Sequence, residues 1–307
     1  MFDSPLSASA YEVLGVPATA TDDDLRRAFR QRLRETHPDT GGDAAEFVRV
    51  QRAWELIGTV ESRAAYDRGH GFSVAPDPDA AMWRPPTSRA DTRPRARSTG
   101  HPGGWRRERY LVLMREWAGR GVDLADPYDP AWLRTAPREL RRLLADALAE
   151  EATARIVADL GMGYTVWHDV AVGGPDVADA KLDHVVLGPS GLYGVLSEDF
   201  GGPVGFRRGE ITGPHVPDAP VTRLLAGMRQ VARAARVRFG GAIVVLPDED
   251  VPQAITDLGK VRGTPVAVVG RAALSTLLRR GVPGARDIGG NEVFDIRTRL
   301  DQTVRFV

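Results

Sequence analysis

The sequence predicts a multidomain α+β protein: an all-α unit over residues 1–70, a flexible linker over 71–104, and an α/β unit with a mixed sheet over 105–307. Three observations predict it. Apolar residues recur at helical spacing on both sides of a His37-Pro38-Asp39 turn. Six prolines interrupt Phe72 to Gly104, where no apolar period survives. Beyond residue 160 the period changes to two between helical segments, as in layered α/β units.

Composition narrows the chemistry. The 307 residues carry no net formal charge and are 42% hydrophobic, enough for one sizeable core and a small one. Neutrality removes any global pull toward nucleic acid or membrane. Having no cysteine excludes disulfides, thiolate catalysis and cysteine zinc sites. Of 41 basic residues only Lys181 and Lys260 are lysines. The first residues lack a basic, apolar leader pattern, and no apolar run approaches the roughly 18–20 residues of a membrane span, so the cytoplasm is expected and no membrane contact.

In the first unit, Ser9 to Leu14 forms a short helix closed by Gly15. Thr21 caps the next helix, with Asp22, Asp23 and Asp24 on its positive end and Asp24 placed to complete a capping box. Leu25, Ala28, Phe29 and Leu33 make its buried stripe; Arg26, Arg27, Arg30 and Arg34 make a basic one. Pro38 fixes its own φ and drives His37 out of helical space, and Asp39, Thr40, Gly41 and Gly42 continue as a turn. A third helix from Asp43 buries Phe47, Val50, Trp54 and Ile57, and a brief fourth spans Ser62 to Arg68. The rigid tripeptide between helices reads as a docking site.

Residues 8–69 resemble the J domain of DnaJ-type co-chaperones. The likeness rests on Tyr11-Glu12-Val13-Leu14-Gly15-Val16, Ala28-Phe29-Arg30, His37-Pro38-Asp39 and Arg63-Ala64-Ala65-Tyr66-Asp67. It implies that His37, Pro38 and Asp39 stimulate ATP hydrolysis by a DnaK-class chaperone, and that Arg26 and Arg30, in a stripe with Arg27 and Arg34, face that partner. Phe29 stands in place of the more usual tyrosine, and Gln31 where a second basic residue often sits.

The linker carries Arg84, Arg89, Arg93, Arg95 and Arg97 against three aspartates, and it is not a glycine/phenylalanine-rich segment. Beyond it, helices are expected over Trp105–Gly119 and Arg138 to about Leu160, with a loop over Asp123–Pro130. Strands follow over Tyr164–Val170, Leu182–Leu187 and Leu192–Leu196, the last two joined by the Gly188-Pro189-Ser190-Gly191 turn. An edge strand over Val204–Ile211, a helix over Val221–Arg236, strands over Ala242–Leu246 and Val266–Val269, and helices over Arg271–Arg280 and Asn291–Arg305 complete the reading.

Residues 140–246, through the Tyr164–Val170 and Leu182–Tyr193 segments, resemble the NERD domain, a nuclease-related module of the PD-(D/E)xK superfamily; the pairing with a J domain resembles actinobacterial J-domain proteins. Nuclease chemistry of this kind needs two carboxylates on a divalent metal and a nearby lysine. Asp183 matches the first carboxylate, but Leu196 and Glu198 stand at the Glu-x-Lys positions and Arg223 at a polar position of the next helix. The upstream glutamate has no direct counterpart, Glu150 and Glu151 being the candidates, and the alternative is an acidic cluster of Asp183, Glu198 and Asp199, with Lys181 reaching in, that would still bind Mg²⁺. His168 and His184 are expected to be structural, and Trp167 and Tyr193 to pack.

The expectation is therefore a non-enzymatic, cofactor-free co-chaperone for a DnaK-class ATPase, with the C-terminal unit, a dismantled nuclease, binding a client protein or location. The alternatives are a metal-dependent nuclease coupled to a chaperone, and a nucleic-acid-binding scaffold resting on the linker arginines.

Overall fold

The structure, a computed structural model, describes residues 6, 8–38, 41–70, 94–122, 124, 126–172, 180–286 and 288–307. Helices α1 (Ala10–Leu14), α2 (Asp22–Glu35), α3 (Ala44–Ile57) and α4 (Val60–His70) build the N-terminal unit. Both capping boxes form: Ser9 with Glu12 on α1, and Thr21 with Asp24 on α2, while Gly15 ends α1 at a left-handed φ of 73°. Ala10, Tyr11, Leu14, Leu25, Val50, Ala53, Ile57 and Tyr66 form the core. Phe29, Leu33 and Trp54 are only partly buried around it, with Phe29 stacked on Trp54 at 4.4 Å between centroids.

The Arg63–Asp67 segment acts as a clasp. Arg63 donates to the Ala18 and Ala20 carbonyls at 2.9 and 2.7 Å and to the Tyr11 hydroxyl at 2.9 Å, and pairs with Asp22 at 3.0 Å. Tyr11 in turn donates to Asp67 at 2.7 Å. One guanidinium thus ties α4 to α1 and to the start of α2.

In the C-terminal unit α5 (Gly104–Ala118), α6 (Pro130–Thr135) and α7 (Arg138–Ala158) precede a seven-stranded mixed sheet. Its strands are β1 (Arg97–Thr99), β2 (Thr165–Ala171), β3 (Lys181–Gly188), β4 (Gly191–Ser197), β7 (Gly241–Leu246), β8 (Ile255–Val261) and β9 (Thr264–Gly270), in the order β1-β2-β3-β4-β7-β9-β8. The β2–β3–β4 meander is antiparallel, and β4, β7 and β9 run parallel. Helices α8 (Pro220–Ala235) and α10 (Gly290–Thr303) cover one face through Leu224, Leu225, Met228, Ile296 and Leu300. On the other, Val157 of α7 and Leu274, Leu277 and Leu278 of α9 (Leu274–Arg280) meet Val166, Val186, Ile243 and Val269. Sheet faces clad on both sides explain the unbroken apolar runs of β7 and β9.

Three expectations are corrected. The end of the linker is ordered: β1 pairs in parallel with β2, and Gly100 follows because a Cβ there would sit 2.2 Å from the His168 carbonyl oxygen. Residues 71–93 of the expected linker lie outside the described residues. The expected edge strand over Val204–Ile211 is instead a separate hairpin of β5 (Gly205–Arg207) and β6 (Glu210–Thr212), turned through Arg208 at φ 52° and Gly209 at φ 77°. The expected loop over Asp123–Pro130 leads into α6, an element not expected from the sequence; Asp129 caps it, its carboxylate accepting from Ala131 N–H at 2.7 Å. Strand β8 had no counterpart in the sequence reading. The final helix stops at Thr303, because residues 305–307 turn onto β2: Ala171 donates to the Arg305 carbonyl at 2.8 Å and Val307 to that of Asp169 at 3.1 Å.

Candidate functional site

Two sites carry the candidate residues. The first is the turn between α2 and α3. Thr36 ends α2, its N–H and hydroxyl both donating to the Arg32 carbonyl at 3.0 and 2.8 Å. Gly42 N–H returns to the His37 carbonyl at 3.0 Å and Gly41 N–H to that of Pro38 at 3.1 Å. A Cβ on Gly42 would strike Thr36 backbone at 2.2 Å, so only glycine closes this turn. His37 rests edge-on against Phe47 at 5.1 Å, and Pro38 is exposed. Asp39 lies outside the described residues. Beside the turn, Arg26, Arg27, Arg30 and Arg34 are all exposed on α2. Arg26 pairs with Asp23 and Arg27 with Asp24, each at 3.3 Å. Such open i,i+3 pairs contribute little stability and separate easily when an acidic partner arrives.

The second site lies where α5 and α7 meet β3 and β4. Asp146, Glu150 and Thr153, at helical spacing on α7, are buried polar residues facing the sheet. The Arg106 guanidinium of α5 bonds Asp146 at 2.5 Å, Glu150 at 2.7 Å and Glu198 at 2.7 Å, and lies 3.6 Å from Asp183. Lys181 Nζ lies 2.7 Å from Glu150, 2.6 Å from Asp169 and 2.9 Å from Asp183. Asp169 occupies the left-handed region at φ 51° within β2, a conformation tolerated by aspartate and held here by the surrounding ion pairs. Arg142 adds longer contacts to Glu198 and Asp146.

Burial governs the protons. It pushes the carboxyls of Asp146 and Glu150 well up, aided by the charges of Glu198 and Asp183 respectively. For Asp183 burial acts the same way, but Lys181 and Arg106 outweigh it and hold the carboxyl below its ordinary range. Burial opposes the charge on Lys181 too, and Asp183 and Glu150 outweigh it, so the ammonium keeps its proton. Alongside runs a chain of neutral groups: Ser98, His168, His184, Ser197 and Thr153, linked at 3.0, 2.7, 3.1 and 2.8 Å. Burial lowers His168 to about 4, and burial with its neighbour His168 lowers His184 well below the ordinary value. In the 2.7 Å contact between the two Nδ1 atoms, one ring must therefore donate and the other accept.

A cavity of about 720 Å³ opens above this cluster. Arg106, Asp146, Lys181, Asp183 and Glu198 line it, with apolar walls from Trp105, Leu182, Leu196 and Leu224 and with Arg142, Arg223 and Gln230. The structure thus gathers Asp183, Leu196, Glu198 and Arg223 around one space, as the sequence grouped them. Glu150 joins the cluster, whereas Glu151 turns away to Arg107. Asp199 does not line the cavity; its N–H donates to Asp146 at 3.2 Å. His168 and His184 are buried on the strands, while Trp167 packs and donates to Asp301 at 2.8 Å. A divalent cation does not fit these donors: Arg106 and Lys181 already take their oxygens, Leu196 presents an apolar wall, and no group of three metal-ligating side chains is arranged for an ion among the described residues. The sequence reading missed Arg106, Asp146 and Asp169.

The N-terminal unit is a small helical module, with a basic helix and a proline-locked turn on its surface. Residues 9–67 match the family model of the DnaJ domain, so this segment is a DnaJ domain. Over 58 residues the chain is 45% identical to chaperone protein dnaJ A6 of Oryza sativa, which covers 19% of this chain and 14% of that protein. It is 43% identical over 76 residues to chaperone protein DnaJ of Bordetella petrii, covering 23% and 20%. It is 41% identical over 58 residues to chaperone protein dnaJ 2 of Arabidopsis thaliana, covering 19% and 14%. The chain spans a fifth or less of the length of these curated relatives.

Proposed function

We propose that this protein is a cytoplasmic J-domain co-chaperone that stimulates ATP hydrolysis by a DnaK-class chaperone. His37, Pro38 and Asp39 deliver the stimulus, and Arg26, Arg27, Arg30 and Arg34 draw in an acidic surface of the partner. The observation that carries the reading is the exposed basic face of α2 beside the His37-Pro38 turn, inside a segment that matches the DnaJ domain. The C-terminal unit is a non-catalytic module for a client or location. Its order of α7, the β2–β3–β4 meander, α8 and β7, with Asp183 on β3, supports a NERD-like ancestry, and the cavity gives it a place to bind. Leu196, with Arg106 among the carboxylates, speaks against nuclease chemistry. The test is the chaperone's single-turnover ATPase rate with wild-type and His37→Gln protein. Stimulation by the wild type and none by the variant is expected; no stimulation by the wild type sinks the reading.

A further inference from the structure

The DnaJ domain and the C-terminal unit touch through specific polar contacts. On the DnaJ side, Tyr66 of α4 is 1% exposed; its hydroxyl accepts from Ala10 N–H at 2.9 Å and donates to the Glu249 carboxylate. Arg52 of α3 donates to the Val251 carbonyl at 3.3 Å and approaches that of Asp248 at 3.5 Å, while its other nitrogen pairs with Glu55 at 2.9 Å. Leu6, just before α1, lies against the loop after β4, where a Cβ on Gly201 would be 3.0 Å from it.

On the C-terminal side, the receiving surface is built from two turns. One is the 247–251 segment at the carboxyl end of β7, and the other is the 3₁₀ turn Arg271–Ala273 after β9. Asp248 joins them by accepting from Ala272 N–H at 3.2 Å, and Arg271, the first residue of the second turn, is buried at 3% exposure. The carboxyl ends of parallel strands are where open α/β sheets ordinarily receive ligands. Here two of those ends receive the chain's own N-terminal domain, Arg52 reaching the 247–251 segment and α4 lying against the Arg271–Ala273 turn. What stays open is decisive: Arg26 and Arg27 side chains on α2 are 56% and 73% exposed.

We infer that the 247–251 and 271–273 turns are a docking surface for the α1/α3/α4 face of the DnaJ domain, presenting α2 outward to its partner in a fixed orientation. Since both halves lie on one chain, a modest contact energy suffices to hold them together. The last clause rests on the co-chaperone reading; the docking does not. The test is amide relaxation by NMR on the full chain, wild type against Glu249→Ala and Arg52→Ala, one variant from each side of the contact. In the wild type, DnaJ-domain and C-terminal amides share one tumbling time, and in each variant the DnaJ-domain amides tumble about twofold faster with their dispersion kept. DnaJ-domain amides that already tumble faster in the wild type, or that keep the shared time in both variants, overturn the inference. Single-turnover ATPase measurements run in parallel separate the two claims: a shared tumbling time without stimulation removes the co-chaperone reading and leaves the docking standing.

Discussion

The basic face of α2 and the ion cluster beneath the cavity use the same side chains to opposite ends. Arg26 and Arg27 hold Asp23 and Asp24 at 3.3 Å in open solvent, at spacings the helix itself supplies. Arg106 holds Asp146, Glu150 and Glu198 from 40 or more residues away in sequence, largely buried at the floor of the cavity. Solvent decides the difference. Exposed pairs contribute about 0–1 kcal/mol and leave their charge available, whereas a buried network commits every member to its neighbours. The first region can recognise a partner, and the second shapes the unit that carries it.

Substitutions can break this contrast. Arg106→Met strands the carboxylates, and a loss of about 3–5 kcal/mol is expected, read as an earlier denaturant midpoint for the C-terminal unit. A change as small as that of a surface pair would show the network to be wet. Asp248 provides the pH counterpart. Burial, then Glu249, pushes its carboxyl up to about 7, against the Ala272 N–H, Arg271 and Arg52, the last paired with Glu55. A raised carboxyl favours the folded state most below the unfolded value near 3.8, and that advantage is lost as pH rises toward about 7. The drop in melting temperature between pH 5 and pH 8 is thus expected to be smaller in Asp248→Asn than in the wild type, and an equal drop refutes the assignment.

Smaller effects belong to the DnaJ domain. Ser9→Ala removes the α1 capping box and is expected to cost about 1 kcal/mol, measured by denaturant unfolding. The pair Arg26→Ala and Arg30→Ala is expected to shift stability by less than about 0.5 kcal/mol. The same pair should slow stimulation of the chaperone's ATPase at low salt and converge with the wild type at high salt. A salt-independent deficit would place these arginines outside the encounter surface.

Local signals were legible in the sequence, and distant ones were not. Ser9, Gly15, Thr21 and Asp24 act within one turn, so α1 and α2 could be read with their caps. Strand β7, fully apolar, and the Gly188–Gly191 turn were equally plain. Strand β8 escaped because Thr256, Asp257, Gly259 and Lys260 give it no apolar alternation; among the described residues it is an edge strand, paired with β9. Strand β1 escaped because three residues amid prolines and arginines form a strand only when β2 offers its edge. At the cavity, Asp183, Leu196, Glu198 and Arg223 could be grouped through the resemblance to a nuclease-related domain alone. Arg106 could not, since nothing near it in sequence names its partners. One signal was present: Asp146, Glu150 and Thr153 set polar atoms along the sheet-facing side of α7, and buried acids in such a row call for a cation from elsewhere.

The scarcity of lysine turns the ion cluster into a chemical gauge. Lys181 is enclosed by three carboxylates and keeps its proton, while Lys260 stands exposed on β8. An amine-acylating reagent applied to the folded protein is therefore confined, among the lysines, to Lys260. Acylation at Lys181 then marks molecules in which α5, α7 and the sheet have come apart, so the two side chains report labelling and opening on one chain.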